Sequence, residues 1–173
     1  MARTGYGVVR QAARGDLELV AFGVIETPAG AEAGARLLQL EAGIERVLDA
    51  YRPTSAGVER LFFERNVSTA MSVGQARGVA LLTLARRAIP ISEYSPVEVK
   101  QAVAGYGAAD KQQMQTMVQA LLRMDHLPRP DDAADALAVA ICHAHSRKMA
   151  AGLAKQAAEA SATSSMRAER ARR

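Results

Sequence analysis

The sequence contains a single cysteine, Cys142, and no apolar run long enough to cross a membrane. One cysteine excludes an internal disulfide, and its place in an apolar stretch is typical of a small buried side chain in a cytosolic protein. A membrane span needs about 20 consecutive apolar residues. The N-terminus also lacks the basic and then apolar pattern of a signal peptide. These absences predict a globular protein of the cytosol.

Several common functional motifs are absent as well. His126, His143 and His145 do not have the spacing of zinc ligands, and no serine-nucleophile motif is present. The segment Gly5-Tyr6-Gly7 is not followed by further glycines or by the lysine of a phosphate-binding loop. The sequence therefore gives no support to a zinc enzyme, a serine hydrolase or a nucleotide-binding protein.

The basic charge of the chain is concentrated at its C-terminal end. Residues 147–173 hold seven Lys or Arg and two Glu, whereas residues 1–146 hold fifteen Lys or Arg and sixteen Asp or Glu. We predict one domain over 1–146, followed at 147–173 by a basic Ala/Ser/Arg-rich tail that is disordered or transiently helical. Such a tail would add a salt-dependent attraction to nucleic acid without reading its sequence.

Hydrophobic patterning predicts an α/β fold. Two β-type runs, Gly5–Val9 and Leu17–Thr27, are separated by a turn-like segment and predict a hairpin. The other predicted elements are, in chain order, a helix over 31–51, a strand over 56–63, a helix over 67–87, a strand over 89–94, helices over 96–103 and 110–124, and a final apolar helix after Pro130. Strands that alternate with helices, together with a hairpin, predict a mixed sheet covered by helices.

The final helix begins with more acids than a helix start requires. Asp132 and Asp135 are three positions apart and so share a helix face. A carboxylate in the first turn is ordinary, because the helix N-terminus stabilises it, and this explains Asp131 or Asp132. Asp135 lies a turn deeper among apolar residues, where an unpaired charge is costly to bury. It is either a partly exposed structural acid or a carboxylate that holds a metal or moves a proton.

Glu59 is an acid on a predicted strand, on the face opposite Val58. Both faces of a central strand covered by helices are usually dry. Glu59 therefore either pairs with Arg60 or Arg65 near the strand end or belongs to a functional site. A strand acid facing two helix acids would suit hard divalent cations such as Mg²⁺. A pair of these ions can activate water and stabilise the leaving oxygen in phosphodiester hydrolysis.

Two further pairs of residues have an ordinary and a functional interpretation. Lys100 and Lys111 flank the loop Gly105–Gly107, and taken alone they are ordinary surface lysines. Gly74 and Gly78 lie four apart on a predicted helix and allow another backbone to approach closely. That backbone belongs either to a neighbouring helix or to a second subunit.

Taken together, these segments resemble the bacterial RuvC family, the Holliday junction resolvases. The resemblance runs from about Thr4 to His145 and is carried by Val58-Glu59, Phe62-Phe63 and Asn66, by Gly74-Gln75-Ala76-Arg77-Gly78-Val79-Ala80, by Val99-Lys100-Gln101 with Gly105-Tyr106-Gly107 and Lys111, and by Asp132-Ala133-Ala134-Asp135-Ala136-Leu137-Ala138. It implies a ribonuclease H-like mixed sheet with helices on both faces. It also implies a homodimer that works alongside RuvA and RuvB and nicks the two opposed strands of a four-way DNA junction during recombination and repair.

The resemblance assigns a role to each candidate site residue. Glu59, Asp132 and Asp135 match the catalytic acids that bind Mg²⁺, as a pair of ions per subunit in an intact site, with Mn²⁺ as a substitute.

Lys100 and Lys111 match basic residues that contact DNA close to the scissile phosphate, where fixed cations stabilise developing negative charge. Phe62 matches an aromatic residue that stacks near the junction centre, where it would hold unpaired bases without reading their sequence. Taken alone, Phe62 is interpreted as a core aromatic at a strand end.

The start of the chain departs from the family pattern. The family begins with a strand that carries an Asp and is followed by Pro-Gly and a short turn. Here the matching segment Thr4–Gly7 lies almost at the beginning, and neither Asp16 nor Glu18 takes the place of that Asp. The departure implies either a sequence that starts late or a shortened, catalytically impaired dimer that binds junctions. A ribonuclease H-like nuclease acting on another branched or hybrid nucleic acid is a further alternative.

Overall fold

The computed structural model describes residues 2–12, 16–60 and 67–170, and its strands form two sheets. The first is an antiparallel pair, β1 (Ala2–Gln11) with β2 (Leu17–Thr27), and the second is a parallel pair, β3 (Ala56–Glu59) with β4 (Ile91–Tyr94). The predicted hairpin and both later strands are present. The predicted single sheet is divided, since within these ranges no strand ladder joins β1 and β2 to β3 and β4. Patterning identifies strands but does not determine which of them pair.

Five helices accompany the strands in the described part of the chain: α1 (Ala33–Tyr51), α2 (Val67–Arg86), α3 (Pro96–Ala104), α4 (Lys111–Leu121) and α5 (Asp131–Arg170). Each matches a helix predicted from the apolar spacing. None of the described helices is both long and apolar enough to span a membrane.

Reciprocal caps define where α3 and α4 begin. The Ser95 hydroxyl accepts from the Glu98 N–H while the Glu98 carboxylate accepts from the Ser95 N–H. Asp110 and Gln113 form the same pair of bonds at the start of α4. Such caps satisfy N–H groups that would otherwise lack partners in the first turn. They make Lys111 the first residue of α4.

The core is built around α5, which contacts all four strands as well as α3 and α4. Leu137, Ile141 and Cys142 are almost completely buried there, as the apolar run predicts. Two glycines let β1 approach the helix backbone. A β-carbon at Gly7 would lie 2.9 Å from Leu137 Cα, and one at Gly5 would overlap the carbonyl group of Asp132. The start of α5 is therefore held directly against β1.

Residues 147–170, for which the sequence predicts a disordered or transiently helical tail, continue α5 as one helix. Alanine, the strongest helix former, is frequent in this segment. Met149 and Leu153 are exposed on it. The division into a domain over 1–146 and a separate tail stays a prediction.

Candidate metal centre and DNA-contacting residues

The end of β3, where Glu59 lies, is held next to α5 by a buried histidine. His143 Nδ1 lies 2.9 Å from the Tyr94 hydroxyl, and its Nε2 lies 2.8 Å from Ser55 Oγ. The backbone of Gly57 packs on the same side chain, since a β-carbon there would lie 2.9 Å from His143 Cβ. Burial lowers the pKa of His143, so the imidazole links the two elements as a neutral group. These contacts place Glu59 beside the first turns of α5.

The carboxylates of Glu59 and Asp135 interact between β3 and α5. Burial raises the pKa of Glu59, and the negative charge of Asp135 raises it further. Burial also raises the pKa of Asp135; Lys111 opposes that rise, and the charges of Asp131 and Asp132 add to it. Both side chains keep an exposed side. The site thus holds mutually repelling acids that solvent can reach, and a bound cation would relieve this repulsion.

The donor chemistry of the three predicted acids fits a hard divalent cation. The carboxylates of Glu59, Asp132 and Asp135 form no hydrogen bond or ion pair with another described residue. Asp135 interacts electrostatically with both of the others. In the described ranges, however, no three acids, histidines or cysteines converge closely enough to hold a metal. The structure brings the predicted acids together as two pairs that share Asp135, and not as a closed three-ligand cage.

Asp131, one of the two acids that the sequence allows as an ordinary first-turn carboxylate, binds α4. Its Oδ2 lies 2.7 Å from Lys111 Nζ, and its Oδ1 accepts from Gln115 Nε2 at 2.9 Å. Arg129 Nη1 lies 3.4 Å from Oδ1. The bond with Lys111 lowers the pKa of Asp131, and the same bond raises the pKa of Lys111. The contact between Asp131 and Lys111 was not predicted from the sequence. The available signal was the pair Asp131 and Asp132, because one carboxylate is enough to cap a helix.

Of the other two predicted DNA-contacting residues, the structure describes only Lys100. Lys100 lies on α3 and is partly exposed, and no hydrogen bond or ion pair joins it to the three acids in the described part of the chain. Phe62, like Phe63 and Asn66, lies outside the described residues. The roles of Phe62, Lys100 and Lys111 toward DNA stay predictions.

Arg77 of α2 contacts the end of β3, although the sequence alone does not single it out. Its Nε donates to the main-chain oxygen of Glu59 at 3.2 Å, and its Nη2 lies 2.5 Å from Glu93 Oε2 on β4. The only local signal is a single arginine among the small residues of Gly74–Ala80.

Comparison with known proteins identifies a family for this arrangement. The model of the family described as "Crossover junction endodeoxyribonuclease RuvC" matches residues 1–143. A protein of that name from Chloroflexus aurantiacus is 56% identical over 144 residues, which cover 83% of this chain and 87% of the relative. One of that name from Syntrophomonas wolfei is 49% identical over 159 residues, which cover 92% of each chain.

Solved structures show the same likeness. The Thermus thermophilus RuvC structure superposes with a TM-score of 0.79 at 35% identity, covering 86% of this chain and 90% of its own. The T. thermophilus RuvC structure in complex with Holliday junction substrate has a TM-score of 0.79 at 36% identity, covering 84% of this chain and 88% of its own. The predicted ribonuclease H-like fold class is confirmed by this likeness.

Proposed function

Because the chain belongs to the RuvC family, we propose that it is a crossover junction endodeoxyribonuclease that resolves four-way DNA junctions by paired nicks. The observation that carries this proposal is the facing pair Glu59 and Asp135. Both have raised pKa values and no ion-pair partner among the described residues. The pair offers oxygen ligands for a divalent cation beside the ammonium group of Lys111.

The proposed chemistry divides among the residues as follows. Glu59, Asp132 and Asp135 would hold Mg²⁺, or Mn²⁺ in its place, and a pair of such ions supplies an activated water and stabilises the leaving oxygen. The Lys111 ammonium, which Asp131 holds beside the acids, stabilises negative charge on the phosphate as a fixed cation.

The remaining proposed contacts hold the DNA. Lys100 adds a positive charge on α3, where it binds a phosphate without reading the base sequence. Phe62 stacks on unpaired bases at the junction centre. Such stacking also does not depend on the base sequence.

A cleavage assay with three substrates tests this function. The chain is incubated with Mg²⁺ and a mobile four-way junction, a linear duplex or an RNA–DNA hybrid, with Glu59→Gln as the inactive control. We expect symmetric nicks on the junction alone. Binding of the junction without nicks by the wild-type chain would instead identify a junction-binding protein without turnover. A preference for the hybrid would contradict both functions.

A homodimer formed through α2 is part of the proposal. One stripe along α2 consists of residues spaced three or four positions apart: Met71, Gly74, Gly78 and Leu82. Met71 and Leu82 are 65% and 50% exposed, and a β-carbon at either glycine would meet no atom within 4 Å. The stripe therefore has room for the backbone of a second copy. A two-fold dimer suits a junction with two equivalent cleavage points.

The dimer is tested with Gly78→Glu, measured by light scattering after size-exclusion chromatography. The substitution fills open space in one subunit and places a charge in the proposed interface, so we expect monomers of unchanged thermal stability. Leu38→Glu, at an exposed apolar residue of α1, is the matched control and should remain a dimer. Dimers of Gly78→Glu would show that this stripe is not the interface.

We further propose that the dimer acts in the cytoplasm with the branch-migration proteins RuvA and RuvB, as the family resemblance implies. Co-purification of the chain with junction-bound RuvA and RuvB tests this association. If the chain bound the bare junction but not the junction that carries RuvA and RuvB, the proposed association would be wrong.

A further inference from the structure

The peptide group that joins Glu59 to Arg60 is bound on both of its edges. Its N–H donates to the Tyr94 carbonyl of β4 at 2.7 Å. Its C=O, which is the carbonyl of Glu59, accepts from Arg77 Nε of α2 at 3.2 Å. Because a peptide group is planar, bonds on both edges fix the orientation of the whole unit. The direction of the Glu59 side chain at the end of β3 is therefore determined in part by Arg77 of α2.

The Arg77 guanidinium is itself held in place. Its Nη2 lies 2.5 Å from Glu93 Oε2, and the side chain is only 20% exposed. Glu93 belongs to β4, the strand that pairs with β3, and its own main-chain oxygen accepts from Arg60 Nη2 at 3.2 Å. One planar fork thus connects α2 with the ends of both strands.

We propose that Arg77 is a positioning residue that orients Glu59 for cation binding by holding the peptide group that follows it. The inference rests on the proposed role of Glu59 in the metal centre. A lysine cannot take over this task, because a single ammonium group lacks the rigid fork that reaches two acceptors in fixed directions.

The contact is suited to positioning because it leaves the charge of the site intact. Arg77 binds the main-chain oxygen of Glu59 and not its carboxylate, and its charge is paired with Glu93. Burial raises the pKa of Glu59, and the negative charge of Asp135 raises it further. The Glu59 carboxylate is oriented but remains available to a cation.

The test compares Arg77→Lys with Arg86→Lys in the full chain. Arg86 lies on the same helix and forms an ion pair with Glu41 of α1. Mn²⁺ binding is measured by electron paramagnetic resonance without DNA, alongside single-turnover junction cleavage, junction affinity and thermal unfolding. For Arg77→Lys we expect Mn²⁺ binding and cleavage to fall by about 10- to 100-fold, the usual effect of losing a residue that orients a ligand. The junction affinity of Arg77→Lys should match that of the wild type. Arg86→Lys should match the wild type in all four measurements.

Four outcomes would decide against the inference or against its premise. The inference would be overturned if folded Arg77→Lys bound Mn²⁺ as tightly as the wild type does. It would also be overturned if the losses of Mn²⁺ binding and cleavage were only in proportion to the unfolded fraction of the variant. In Glu59→Gln, adding Arg77→Lys should cause no further loss of Mn²⁺ binding, and an additional loss would show that Arg77 acts elsewhere. If Glu59→Gln itself bound Mn²⁺ and cleaved normally, the proposed function of Glu59 would be wrong, which is distinguishable from failure of Arg77→Lys alone.

Discussion

Lys111 and Asp131 form an ion pair of 2.7 Å between the first turns of α4 and α5. The buried Gln115 donates to the other oxygen of Asp131 at 2.9 Å, so the carboxylate is fixed from within the fold while the ammonium group remains exposed. Lys111 stays charged beside Asp132 and Asp135, but it is already engaged by Asp131. A DNA phosphate that approaches Lys111 has to compete with this carboxylate.

Removing that competition should strengthen junction binding. We expect Asp131→Asn to tighten binding at low salt and to steepen the dependence of log Kd on log salt by about one, because Lys111 becomes free to bind a phosphate. Adding Lys111→Ala to Asp131→Asn should remove this gain and flatten the slope again by about one. Fluorescence anisotropy between about 50 and 200 mM salt measures both. Unchanged slopes in both variants would exclude Lys111 as a phosphate contact.

Asp135→Asn should abolish cleavage and yet stabilise the fold. The substitution removes a cation ligand, so we expect a rate at least about 100-fold lower with junction affinity unchanged. It also removes a partly buried charge that Glu59 and Asp132 repel, so the thermal midpoint at neutral pH should rise. Single-turnover cleavage and calorimetry check the two effects. A less stable variant that cleaves in proportion to its folded fraction would show that Asp135 is merely structural.

Glu59 and Asp135 should make the metal-free protein less stable as the pH rises above the ordinary carboxylate range, whereas His143, whose pKa burial lowers, contributes in the opposite direction. The native pKa values of Glu59 and Asp135 lie above the ordinary values of 4.5 and 3.8. Between the ordinary and the raised values the native state binds more protons than the unfolded state, so the free energy of unfolding falls with increasing pH. Thermal unfolding with a chelator, from about pH 4 to pH 8, measures this slope.

The variant Glu59→Gln with Asp135→Asn should lack this component of the slope. Near pH 8, Mg²⁺ should raise the thermal midpoint of the wild type, because a ligand that binds only the native state stabilises that state. Mg²⁺ should leave the thermal midpoint of this variant unchanged. Equal slopes in the two proteins would argue that these acids do not titrate as proposed.

Truncation of residues 149–173 should weaken junction binding most at low salt and flatten its salt dependence. The segment carries five Lys or Arg against two Glu. The apolar residues Met149 and Leu153 are exposed, so their removal should not uncover the core, and the thermal midpoint should stay the same. Anisotropy at several salt concentrations checks the binding. A slope equal to that of the full chain would remove the basic segment from the account of DNA binding.

Much of the secondary structure was predictable because its signals are local. Apolar spacing identified all five helices of the described residues, and the turn-like segment before Leu17 identified the hairpin. The acids Glu59, Asp132 and Asp135 stood out because each is a charge in apolar surroundings along the chain. In the described part of the chain Glu59 and Asp132 each interact with Asp135, but the three acids do not form one cluster, and their role as metal ligands stays a prediction. Spacing alone left open whether Asp135 would be exposed, and the structure shows that it keeps an exposed side.

The amino-acid sequence by itself determined the element order, the apolar helix α5 at the centre and the three acids of the candidate site, since these depend on periodicity and residue type. Only the tertiary structure decided which side chains fix the site. Lys111 reaches Asp131 and Arg77 reaches the Glu59 carbonyl because packing on α5 brings separate elements together. Such contacts join residues far apart in the chain, and their existence depends on how whole elements pack and not on any local pattern.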